Sequence, residues 1–146
     1  MTRYTASTIT GAGSTTLPIV SLYGGTTVRP HIREIHLFNT TTTAVSLKVV
    51  RLSTTGTQGT ALTEMGYTPE DVASRAQAFA THSVAPTITS GDLWRGSLGA
   101  AVGSGIILTF GDEGIVIPAT ANAGVGVVVS SGTGQVCEAT IVWDEG

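Results

Sequence analysis

Between Ala44 and Leu52 apolar and polar residues alternate: Val45, Leu47 and Val49 fall on one side, Ser46 and Lys48 on the other. A period of two places successive side chains on opposite faces, so this run predicts a strand half buried against a core. It ends at Ser53-Thr54-Thr55-Gly56, a turn composition. The same rhythm predicts strands at Thr5–Thr10, Leu17–Tyr23, Ile32–Phe38, Leu93–Leu98, Gly105–Phe110 and Gly114–Ile117, each bounded by Gly, Pro, Asn or clustered Thr and Ser. Gly124–Val129 is almost wholly apolar and predicts a strand buried on both faces. Val136–Trp143 follows after Ser130-Ser131-Gly132-Thr133-Gly134, and the two runs read as a β-hairpin of central strands.

Residues 56–73 break the rhythm. Thr68-Pro69-Glu70-Asp71 has the form of a helix start: a capping Thr, Pro in the first turn, then acids at the positive helix end. At most one short helix is expected near 69–75, followed by a strand reaching His82. About eight to ten short strands with turns between them predict an antiparallel β-sandwich of jelly-roll type. Strands do not alternate with long helical patterns, which argues against an α/β fold. Residues 1–16, polar and rich in Thr and Gly, are either an N-terminal arm or a frayed first strand, and 17–146 form the single sandwich domain.

Composition sharpens this picture. The chain has 146 residues, 41% of them hydrophobic, which is enough for one core. Only 12% are charged, about half the share of roughly 25% in ordinary soluble domains, so Thr, Ser and Gly must cover the surface. Net charge is −3 and Lys48 is the only lysine, so there is no basic footprint for nucleic acid. No apolar run approaches the length of a membrane span, and no secretory leader is visible. Asn39-Thr40-Thr41 matches a glycosylation sequon but reads as a turn. The single cysteine, Cys137, rules out an internal disulfide and reads as a small buried hydrophobe.

Candidate chemistry is sparse. His31 and His36 lie five apart in one predicted strand, on opposite faces unless a bulge intervenes, so they do not form a metal pair. A Ser, His82 and Asp92 would supply the residue types of a nucleophilic triad, without any spacing that favours it. Gly99–Gly105 lacks the Lys-Ser/Thr of a phosphate loop. Asp112-Glu113 offers too few oxygens for calcium. The ten scattered acids give no convincing glycosidase pair. Tyr4, Tyr23, Tyr67, Trp94 and Trp143 are the rings that could stack a sugar. Trp94 and Trp143, with Tyr23 and Tyr67, are instead expected at the sandwich rim or in a subunit interface. No catalytic, cofactor or metal residue is assigned, and the chain is expected to work through its surfaces rather than as an enzyme.

The wording of several stretches adds a resemblance. The run from Arg33-Glu-Ile-His-Leu-Phe-Asn through Ser53-Thr-Thr-Gly-Thr-Gln-Gly-Thr resembles small structural proteins of tailed bacteriophages. So do Ala80-Thr-His-Ser-Val-Ala-Pro-Thr, Gly114-Ile-Val-Ile-Pro-Ala-Thr-Ala-Asn-Ala-Gly-Val-Gly-Val and Val136-Cys-Glu-Ala-Thr-Ile-Val-Trp-Asp-Glu. The resemblance implies a virion part, most simply a capsid decoration (cement) protein that is made in the host cytoplasm and binds the major capsid protein at the shell surface. It carries no functional residues across. Such a part would self-associate, and a trimer would match the threefold points of an icosahedral shell. The competing expectation is a glycan- or receptor-binding module of a tail fibre or spike.

Overall fold

The computed structural model describes all residues 1–146 and is all-β, with no helix. Its eleven strands are β1 (Thr2–Ile9), β2 (Val20–Tyr23), β3 (His31–Asn39), β4 (Val45–Leu52), β5 (Met65–Gly66), β6 (Gln77–Phe79), β7 (Ile88–Leu98), β8 (Gly105–Thr109), β9 (Ile115–Val116), β10 (Gly124–Ser131) and β11 (Cys137–Glu145). They form two antiparallel sheets, ordered β5-β1-β11-β3-β8, with β9 also on β3, and β6-β2-β10-β4-β7. β8 and β9 pair with different parts of β3, so they act as one edge strand interrupted at Phe110–Gly114.

The chain crosses between sheets at β1–β2, β3–β4, β7–β8 and β10–β11, and these four crossings gather at one end of the sandwich. Thr10 N–H donates to the Cys137 carbonyl (2.8 Å) and Thr40 N–H to that of Val136 (3.2 Å). The crossings β2–β3 and β9–β10 lie at the other end. Leaving aside the short strands β5, β6 and β9, the sets β1-β11-β3-β8 and β2-β10-β4-β7 linked this way have jelly-roll connectivity. β10 and β11 therefore do not form the expected hairpin. The loop after Ser131 carries the chain from one sheet to the other, and both strands are central, each in its own sheet.

The inward residues of both sheets make one core. It includes Val45, Leu47 and Val49 of β4, Val125, Val127 and Val129 of β10, and Ala139, Ile141 and Trp143 of β11. Trp143 is completely buried, stacked on Tyr4 with ring centroids 6.1 Å apart. Burial of such a ring is among the largest single contributions to a core.

The long β4–β7 connection, residues 53–87, holds the region 69–75 where at most one short helix was expected. Asp71 N–H donates to the Thr68 carbonyl (3.1 Å) and the Asp71 carboxylate accepts from Thr68 N–H, so the segment closes as one turn. No apolar stripe follows that would hold further helical turns on the core. Instead the connection runs out and back as a ribbon, with Leu62 N–H donating to Ala78 O and Ala80 N–H to Thr60 O. On the way it adds β6 to the edge of β2 and β5 to the edge of β1. β6 thereby covers Ser21–Tyr23 of β2, while β5 covers β1 only at Tyr4 and Thr5. Residues 2–9, at the start of the segment expected to be an arm or a frayed strand, pair along their whole length with β11.

Candidate functional surface

The residues named for chemistry are dispersed or enclosed. His82 Nε2 does lie 2.8 Å from a serine hydroxyl, that of Ser21, but both residues are buried and Nδ1 meets no carboxylate. Asp92 is on β7, held by Lys48 at 3.3 Å and Arg95 at 3.1 Å. A nucleophile needs a base, an orienting acid and room for substrate; here the acid lies elsewhere and the pair is shut in. Burial pushes the His82 pKa down, partly opposed by the Thr55 backbone.

β3 contains the bulge on which the histidine reading turned. Glu34 pairs with Val142 and Ile32 with Trp143, leaving Arg33 as the extra residue. Ile32 and Ile35 consequently both face the core, and His31 and His36 share the outer face. Each is already engaged: His31 Nδ1 with the Glu113 carbonyl and His36 Nε2 with Glu34, both at 2.8 Å. No three His, Cys, Asp or Glu side chains converge as metal ligands would. The Asp112 and Glu113 carbonyls are taken up by Arg33 and His31. Gly99–Gly105 spans the β7–β8 crossing and the first residue of β8. Asn39 is fully buried, its side chain tying that crossing to the β3–β4 one through bonds to Thr43 O (2.7 Å) and Gly99 O (3.0 Å). Cys137 is buried, with its thiol pKa pushed up to about 11 by desolvation.

The four aromatic residues expected at an interface separate. Trp143 and Tyr23 belong to the interior. The Tyr23 hydroxyl donates to Thr54 O at 2.8 Å, and burial pushes its pKa up. Trp94 is half-buried, its ring lying over Gly96, where a Cβ would come within 2.4 Å of it. Tyr67 is 59% exposed, with Arg3 beside its face. Trp94 and Tyr67 are on opposite sides of the sandwich and do not make one patch.

The side away from β5 and β6 is open, and its two edge strands differ. β7 slips register with β4 near Leu93 and again between Val50 and Leu52, and it carries Asp92 and Arg95. Bulges and charges of this kind discourage a further strand from pairing. β8 has neither. Gly105-Ile106-Ile107-Leu108-Thr109 pairs with β3 without a slip, has no charged residue, and leaves its far edge free. Ile107 is 55% exposed and Ile106 37%, with Val102 exposed in the adjoining loop. The sequence reading missed these residues. The available signal was an uncharged strand flanked by Gly and Ser, which does not reveal that it lies at an edge.

No protein-family model matches the chain, and no curated protein or solved structure matches it significantly.

Proposed function

We propose that this chain is a structural virion protein, a decoration (cement) part of a tailed-phage head that binds the major capsid protein and copies of itself. The observation that carries the reading is the free, uncharged, apolar edge of β8, which pairs with β3 on one side only and exposes Ile106 and Ile107. An edge of this kind is a template for another strand, and natural proteins blunt it unless it is used. A low-charge surface of Thr, Ser and Gly adds little desolvation cost where such a part packs on its neighbours.

The work of such a protein is area buried at the shell and between its own copies, with no turnover. The tail-fibre reading gains less from the fold, because Tyr67 is the one ring of the five that stands largely exposed, and sugar stacking favours a cluster of rings.

The test is mass in solution, followed by addition to heads lacking a decoration protein. The reading expects a closed oligomer that binds the shells and raises their resistance to heat. A chain that ignores shells and binds host cells or glycans overturns it in favour of the tail-fibre module.

A further inference from the structure

At the end of the sandwich opposite Asn39 lies an open cavity of about 500 Å³. Arg29 of the β2–β3 crossing, Arg51 at the end of β4, and Thr89 and Thr120 bring polar groups to it; Val116 and Pro118 are among its apolar walls. The size lies in the range of small-ligand sites, and the mixture of apolar wall and a few convergent polar groups is their usual make-up.

The charge pattern is what singles this cavity out. The chain has seven lysine and arginine residues. Five of them, Arg3, Arg33, Lys48, Arg75 and Arg95, sit within 4 Å of a carboxylate. The two without an acidic partner are Arg29 and Arg51, and both line this one cavity, which no carboxylate lines. Arg51 reaches across the gap between sheets, donating one guanidinium N–H to the Val116 carbonyl at 2.8 Å. That bond fixes the head group while leaving other donors of its fork unused. In a protein of net charge −3, two unneutralised guanidinium groups in one concavity form a local positive field that attracts an anion.

We infer that this cavity is a binding site for an organic carboxylate, held by Arg29 and Arg51 and seated against the apolar wall of Val116 and Pro118. The guanidinium fork matches a carboxylate in two parallel hydrogen bonds, and the wall favours an anion with a carbon body over a bare oxyanion. The carboxylate can come from an acidic side chain of a protein partner or from a sugar acid. The site stands whether or not the chain decorates a shell, since nothing in its geometry involves β8.

The experiment is calorimetric titration of the full chain at low ionic strength with four probes: glucuronate, a blocked Glu-Glu dipeptide, neutral glucose and inorganic phosphate. At least one carboxylate probe is expected to bind about tenfold or more tightly than glucose and phosphate, the scale of a charge-assisted hydrogen bond. Which of the two it is identifies the source. Arg29→Gln is expected to weaken that binding by about tenfold. Arg29 makes no hydrogen bond or ion pair within the fold, so its loss should leave the melting temperature unchanged, whereas Arg51→Gln also breaks the bond to Val116. Arg95→Gln, on β7, should bind as the parent does. Carboxylates that bind no better than glucose, phosphate that binds as tightly as they do, or full affinity in Arg29→Gln would each overturn the inference.

Discussion

His82 shows how one side chain makes the fold sensitive to acid. It is buried against Tyr23, bonded through Nε2 to Ser21, and its pKa is lowered by desolvation. Unfolded, a histidine titrates near about 6.5. Below that pH the unfolded chain takes up a proton that the folded one resists, so stability is complete above about 6.5 and falls as pH drops toward the lower folded pKa. Glu64 acts in the opposite sense. Burial, its largest influence, raises its pKa, so acidification relieves a cost the fold bears when the group is ionised. Thermal melts of the parent and His82→Gln between pH 7 and 5 separate the two. The parent is expected to lose stability across that range and the variant to lose distinctly less. Parallel curves would mean that His82 is not the group responsible. Asp144 adds an acid-sensitive bond at lower pH. Its carboxylate is held by Arg3 at 2.7 and 2.9 Å, with Arg33 nearby, and lies below the usual carboxylate range.

Among the elements, the capping ribbon is the one whose attachment rests on few groups. Its tip is held by the Glu145 carboxylate, which is buried at the end of β11. That carboxylate accepts from the Ser74 hydroxyl, from Arg75 N–H at 2.9 Å, from Ala76 N–H at 3.2 Å and from the Trp143 indole at 2.8 Å. Four donors on one buried anion explain how Glu145 can be enclosed at all, since an unpaired charge there would be expelled. Glu145→Gln turns one acceptor oxygen into a donor facing donors. It should cost about 2–4 kcal/mol in denaturant unfolding and should speed tryptic cleavage after Arg75 well beyond cleavage after Arg51 in β4. Equal rates at the two sites would show that the tip is held by something else. The clip was not visible in the chain order, because Glu145 and Ser74 meet only once β1 and β11 have paired and the ribbon has crossed them.

For the molecule as a whole, the question is which side meets a partner. The sides are unequal by construction: β5 and β6 cover part of one, while the other ends in a charged, bulged β7 and a plain β8. If copies join through β8, Ile107→Lys puts a lysine in the middle of that edge strand, a charge of the kind that discourages a further strand from pairing. The variant is expected to sediment as a monomer at concentrations where the parent associates, with stability within about 0.5 kcal/mol of the parent, as for other exposed positions. An oligomer that persists in the variant would move the interface away from β8.

The sequence by itself determined that the chain is all-β, where most of its strands run, and that Cys137 and the apolar run of β10 are interior. Those properties rest on the alternation of neighbouring side chains and on local turn chemistry, which act within a few residues. Only the tertiary structure decided sheet membership. The run Ser130–Gly134 has hairpin composition, yet β10 and β11 find better partners in β2 and β4, and in β1 and β3, than in each other. It also decided that Trp143 lies in the core and not at an interface. One bulged residue, Arg33, puts His31 and His36 on the same face, and Thr68–Asp71 stops after one turn. Arg29 and Arg51, far apart in the chain, share a cavity because two crossings end beside β4. Each of these outcomes depends on hydrogen bonds and packing between segments distant in sequence, where a shift of one residue reverses every face that follows.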